Sequence, residues 1–348
     1  MVAEYRPRLT GDGDQNGALL RGLLSGSEPG RVVLPTGSYP ISGGLVLTDS
    51  WCLCGSGTTL WRAEAEESPL IHVLGSGVSV TDLTLELPDA TPGPHDGAEW
   101  TAITIGRYFY TEKPEWIERI TVERVVIRRA GRCPANNITL IGAVRDVRCA
   151  DLEVHGGGTA IMAHWGAVGA AVNDITGHSL HPHHFQVEGL RVHDAFEAFC
   201  LSSVHDVEVR DVRCERVEIG FRLLPGDNTD RYHEKGAGSG INERLSIRGC
   251  DIGWCGDLYA IRVAGWGRSE VDGTVTTRAY TDLVLRDVTV RTLPLVVNGR
   301  PPREGRRPIV VEDAGLVDLD HVRVLSDQTI AHEDHVHGAP GGPDTARG

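Results

Sequence analysis

Residues 78–85 read VSVTDLTL, with apolar side chains at the first, third, sixth and eighth places and a polar one at the fifth. The same eight-residue phrase returns as ITVERVVI from Ile120, VRCADLEV from Val147, FQVEGLRV from Phe185, VEVRDVRC from Val207, LSIRGCDI from Leu245, LVLRDVTV from Leu283 and VDLDHVRV from Val317. Each copy is two short alternating runs joined at a polar corner, which is the period of strands and not of helices. No copy can bury its apolar places alone. Stacked along an axis the copies bury them in one continuous column, so the repeat predicts a solenoid.

A second phrase follows most copies, in the form small, apolar, any, apolar. It reads AITI from Ala102, NITL from Asn137, AIMA from Ala160, AFCL from Ala198, GFRL from Gly220 and AIRV from Ala260, with LIHV from Leu70 and PLVV from Pro294 as looser outer members. Successive members are 32, 35, 23, 38, 22, 40 and 34 residues apart. Three short strands and three corners need roughly 22 residues per turn. The shortest steps are therefore bare turns, and the longer ones are turns that carry excursions.

The chain from Gly11 to Gly57 resembles the opening segment of pectate-lyase-like proteins, carried by Gly11, Asp12, Gly13, the apolar set Ala18, Leu19, Leu20, Leu23 and Leu24, then Gly30, Val32, Leu34, Pro35, Gly37, Tyr39 and Ile41. The resemblance implies an all-β fold, a right-handed parallel β-helix with a short N-terminal capping helix. A cap has a physical purpose, because the first turn of a β-solenoid leaves an unpaired edge and an open core. One domain over residues 1–330 is expected, with 11–57 as its capping segment. Residues 331–348, rich in Gly, Pro and charge, read as a disordered tail. Fold does not fix reaction.

Composition limits the partners. The chain has 348 residues, a formal charge of −14 and 5% aromatic residues. Such an acidic chain repels polyanions unless a local field overrides it, so nucleic acid is not expected. The opening MVAEYRPRL lacks an apolar leader, and no run of 18 apolar residues occurs. The expectation is a cytoplasmic protein off the membrane, of unspecified oligomeric state. Cys149, Cys214 and Cys250 fall on apolar places of the repeat and read as buried thiols, and Cys52 and Cys54 are too close for an ordinary disulfide. The clusters Arg128, Arg129, Arg132 and Arg300, Arg303, Arg306, Arg307 read as solvated loop charges rather than anion sites.

In the second phrase the "any" place points outward, and equivalent places stack on successive turns. That column is His72, Thr104, Thr139, Met162, Cys200, Arg222, Arg262 and Val296. Two arginines about 5 Å apart at the backbone are unfavourable unless an anion or carboxylate lies between them. The next outward column adds His164, Ser202 and Asn298. Beside the arginines, PGDNTDRYHEKGAGSG from Pro225 to Gly240 supplies Asp227, Asp230, Arg231, His233, Glu234 and Lys235, and CGDLYAIRV supplies Asp257 and Tyr259. The plain alternative is that Asp227 and Asp257 simply pair with Arg222 and Arg262. HPHHF, residues 181–185, makes another excursion rich in imidazole, where metal or proton-transfer chemistry is conceivable.

GDLYAIR is similar to a degraded form of the polygalacturonase element in which two adjacent aspartates precede a small and a basic residue. Leu258 stands where the second aspartate belongs, and the NTD ending at Asp230 continues into Arg231 and Tyr232 where that family has Gly. Hydrolysis of that kind needs a carboxylic acid and a carboxylate together. The expected reaction is therefore elimination or epimerisation of a uronate-like sugar. Arg222 and Arg262 would clamp the sugar carboxylate, and His164, His233, Lys235 or Tyr259 would move the proton, whereas Asp227, Asp230 and Asp257 are the catalytic carboxylates of an alternative hydrolase reading. Met162, Cys200, Glu234, Arg231 and His183 are the candidate substrate-binding residues. No cofactor or metal is called for by the spacing, and calcium on Asp227, Asp230 or Asp257 is possible only through the resemblance. Two other enzymes stay open: an intracellular isomerase or cyclase acting on a small molecule, and a glycoside hydrolase. A non-catalytic binding solenoid lies beneath all three.

Overall fold

The structure is a computed structural model, and it describes residues 3–90, 100–112, 114–168, 179–202, 204–224, 243–264, 267–271, 274–278, 281–295, 307–312, 314 and 317–326. Two long parallel sheets wind together. One carries the eight-residue phrases and the other the second phrases, so each turn contributes one corner-bearing strand to the first sheet and one short strand to the second. This is the expected right-handed parallel β-helix.

The corner of the phrase has a specific backbone. All eight fifth places, Asp82, Arg124, Asp151, Gly189, Asp211, Gly249, Asp287 and His321, are left-handed, with φ between 51° and 69°. Asp and Gly tolerate that region best, which accounts for their recurrence at this place. The residue just before the phrase is left-handed too in seven copies: Gly77, Arg119, Asp146, His184, Asp206, Arg244 and Asp282, with φ between 51° and 70°. A corner at each end of every phrase keeps the copies in register, and Val122, for example, pairs with Val80 on one side and Cys149 on the other.

The apolar places form one continuous cluster running from Leu20 to Val322. Within it the rings of Phe199 and Phe221, on successive turns, stack at 4.7 Å and 8°. Cys149, Cys214 and Cys250 belong to the same cluster, as their places in the phrase require. The helix Gly13–Leu24 starts at the N-cap Asp12, whose carboxylate accepts from the Gln15 N–H. It buries Leu20 and Leu24 at the end of the column where the Leu45–Leu47 strand closes the second sheet.

Two expectations are corrected here. The last member of the second phrase is not PLVV from Pro294. Ile309–Glu312 pairs with Ile261–Ala264 in that place, setting Val310, not Val296, beside Arg262. Of the Arg128 cluster, only Arg128 is a solvated charge. Arg129 is 6% exposed and donates to the carbonyls of Pro88, Trp100 and Asn136, so it holds a loop from inside. Arg132 reaches the Asp194 carbonyl and the Glu218 carboxylate. The second cluster lies outside the described residues except for Arg307.

Candidate functional site

The outward column of the second sheet is continuous: Val46, His72, Thr104, Thr139, Met162, Cys200, Arg222, Arg262 and Val310 pair in register, one per turn. Arg222 and Arg262 are thus direct neighbours, as the alternation predicts. The face is not open along its whole length, because Thr104 and Thr139 are buried. Cys200 is buried as well, Val46 at the far end of the column is exposed, and the arginine side chains are 32% and 35% exposed.

The like charges are tolerated because each arginine has its own carboxylate. Arg222 Nη2 donates to Glu197 Oε2 at 2.8 Å, and Thr159 Oγ1 donates to the same oxygen at 2.9 Å. Glu197 is 0% exposed, and its Oε1 has no partner among the described residues. Complete burial raises the Glu197 carboxyl above the ordinary glutamate range. Arg262 Nη2 donates to Glu312 Oε2 at 3.1 Å, and its guanidinium lies 5.5 Å from the Tyr259 ring centroid. Burial opposes the charge on both arginines. Glu197 overcomes it for Arg222, and Tyr259 with Glu312 for Arg262, so both guanidiniums are held above their usual value.

The partners are not those expected from sequence. Glu197 and Glu312 replace Asp257, which makes no ion pair with Arg262 among the described residues and lies instead in the field of Glu218. Asp227, Asp230, Arg231, His233, Glu234 and Lys235 lie outside the described residues. His164 shares the face, with its ring 5.6 Å from Tyr108 and Nδ1 2.9 Å from the Trp165 carbonyl. It stands beside Met162, two strand spacings or roughly 10 Å along the axis from Arg222. Cys200 is 4% exposed beneath the pair. His183 is not on this face. It belongs to the other sheet, stacked on His205 at 4.6 Å, and burial followed by the neighbouring imidazoles pushes it down to about 4.

Glu197 was visible in the sequence as the single charge inside AFEAFCL, residues 195–201, on the strand that carries Cys200. Glu312 follows once Pro308 replaces Pro294 as the start of the last copy. Calcium takes six to eight oxygen ligands. Of its three candidate ligands only Asp257 is described, and it joins neither of the two ligand-type clusters among the described residues, which are both built on histidine. A separate open depression of about 450 Å³ lies on the other sheet, lined among others by Arg124, Glu153, Arg191 and Arg213. No helix among the described residues is long and apolar enough to cross a membrane.

This architecture is a right-handed parallel β-helix. Solved structures agree. An endo-xylogalacturonan hydrolase from Aspergillus tubingensis superposes with a TM-score of 0.52 at 12% identity, covering 97% of this chain and 100% of that one. A polygalacturonase from Erwinia carotovora gives 0.51 at 11% identity over 93% and 94% of the two chains. The N-terminal fragment of bacteriophage Phi29 gene product 12 gives 0.50 at 12% identity, covering 90% of this chain and 56% of that one. At these identities the likeness is one of fold. No family model matches the sequence, and no curated protein does.

Proposed function

We propose that the protein is a carbohydrate-active enzyme whose exposed Arg222 and Arg262 bind the carboxylate of a uronate-like sugar, and that it is a lyase or epimerase. The observation that carries this reading is the pair of half-buried guanidiniums in register on adjacent strands, each held by its own carboxylate. A planar fork held this way matches a carboxylate in two-point geometry. The names of two structural neighbours, a xylogalacturonan hydrolase and a polygalacturonase, support sugar chemistry on this fold.

Withdrawing charge from the carboxylate acidifies the neighbouring C–H, because the negative charge that develops there is stabilised by the two arginines. A base takes that proton. In elimination the electron pair forms a ring double bond as the bond to the leaving oxygen breaks, and that oxygen gains a proton. In epimerisation a proton returns to the opposite face. We assign the proton transfer to Tyr259, whose ring lies 5.5 Å from the Arg262 guanidinium, a contact that supports this role. His233 and Lys235 remain candidates from the adjoining segment. Glu197 positions Arg222 and is too deep to meet substrate.

Hydrolysis is less well supported, despite the neighbours' names. Its two carboxyls should stand about 5 Å or about 6.5–9.5 Å apart. Of its carboxyl candidates, Asp227 and Asp230 lie outside the described residues, and the two carboxylates that meet the arginines, Glu197 and Glu312, lie on strands three spacings apart, about 14 Å at the backbone. The covered stretch at Thr104 and Thr139 favours a short ligand over a long polymer, which keeps an isomerase or cyclase of a small acidic molecule as the second reading.

The test is an assay on a panel of uronate polymers and oligomers, following absorbance of unsaturated product and the NMR spectrum of the sugar. Activity that falls at least a hundredfold in Arg262→Ala and partly survives in Arg262→Lys is expected. Native protein inactive on every uronate, or new reducing ends without unsaturation or epimerisation, would overturn the lyase and epimerase reading.

A further inference from the structure

His183, His184 and His205 converge on the outer side of the corner-bearing sheet, away from the arginine pair. His183 and His184 come from one turn and His205 from the next, where it pairs in register with His183. One ring nitrogen from each lies within 4.8 Å of the other two. His183 Nδ1 and His184 Nδ1 are 2.6 Å apart, a contact that requires at least one of them to present a lone pair. Tetrahedral metal–nitrogen bonds of about 2.0–2.1 Å set such nitrogens about 3.4 Å apart, which small side-chain adjustments reach from the 2.6 Å contact and the 4.8 Å limit. We propose that these three histidines form a binding site for a late first-row divalent cation, zinc or a neighbour of it.

The surroundings of the cluster support this. His205 Nδ1 lies 2.7 Å from Asp206 Oδ2, the carboxylate contact that typically fixes the orientation of a metal-binding imidazole and frees its other nitrogen. Asp206 is itself held by Arg244, through Nε at 2.6 Å and Nη2 at 2.9 Å. Trp116 packs edge-on against His183 at 4.7 Å and limits its rotation. The nearby cations have carboxylate partners, since Arg145 shares Glu118 with Arg119 and Arg244 is held by Asp206 and Glu243, which lowers their opposition to an added divalent ion. Three nitrogen donors and a remaining position for water suit zinc, copper or nickel, and not calcium or magnesium. The backbone favours the arrangement too. His184 occupies the left-handed corner place, φ 52°, that Asp146 and Asp206 fill on adjacent turns, and this projects its ring beside His183.

The test uses full-length protein without an affinity tag, titrated with zinc in competition with a chromophoric chelator, and with cobalt to read the visible spectrum of the bound ion. Four variants are compared: His183→Ala with His205→Ala, Asp206→Asn, His155→Ala with His193→Ala, and His332→Ala with His335→Ala and His337→Ala. The second pair removes the other ligand-type cluster, Glu153, His155 and His193, and the triple variant removes the histidines near the C-terminus. Expected are one tight site in the native protein, its loss in the first double variant, and about 10–100-fold weaker binding in Asp206→Asn with unchanged far-ultraviolet circular dichroism. The other two variants should keep the site. Unchanged binding in the first double variant, loss only in either control, or no zinc binding by the native protein would each overturn the proposal.

Discussion

Replacing Arg222 by Met keeps a side chain of similar reach and removes the charge that, among the described residues, compensates Glu197. The carboxylate is 0% exposed, and among the described residues Oε1 has no partner and Thr159 would remain as the donor to Oε2. Breaking a buried pair from one side costs about 3–5 kcal/mol, since the remaining charge can be neither solvated nor paired. The loss should depend on pH with a definite sign. Glu197 is already raised by burial, and removing Arg222 raises it further, so folded protein keeps a proton on it that the unfolded chain gives up. Stability of the variant is then greatest below the unfolded glutamate range and falls as pH rises through it, by up to about 1.4 kcal/mol per pH unit, until the folded group also ionises. Urea unfolding of native protein and variant at pH 5 and pH 8, with hydrogen exchange of the Glu197–Ser202 and Ile219–Leu224 amides as a local reading, should show the larger deficit at pH 8. Adding Glu197→Gln to the variant should flatten the pH dependence. A deficit under about 1 kcal/mol at pH 8, or one equal at both pH values, would refute the assignment of Glu197 as a buried, arginine-compensated carboxylate.

Phe221→Ala, which empties the space against Phe199 inside the column, should destabilise by about 3–5 kcal/mol in urea unfolding, and Phe221→Leu by clearly less. Asp211, left-handed at φ 57°, should tolerate Gly with no loss, whereas Val at this place should cost about 1–2 kcal/mol, read as a lower thermal midpoint. Burial pushes the thiols of Cys149 and Cys250 up to about 12, so both should resist alkylation at pH 8 in the native state and react fully in denaturant. Mass spectrometry of labelled peptides checks this, and rapid native labelling of either would contradict their burial. Finally, Tyr259→Phe should reduce turnover of a uronate substrate far more than its binding, and an unchanged turnover number would remove Tyr259 from proton transfer.

The sequence by itself determined the solenoid, the side of each strand that faces the core, and the adjacency of Arg222 and Arg262, because strand alternation has a fixed period and parallel stacking preserves register. It also held, unread, the reason for its polar fifth place: a left-handed corner that Asp, Gly and a few other residues accept. Tertiary structure alone decided which groups meet across turns. Excursions of unequal length shift the chain between strands, so Val310 rather than Val296 completes the column, and only the pairing of Ile309–Glu312 brings Glu312 to Arg262. Glu197 and Arg222 are 25 residues apart, and His183 and His205 are 22 apart. No local pattern couples such residues, since their contact depends on one full turn of the helix and on the burial that makes each pairing necessary.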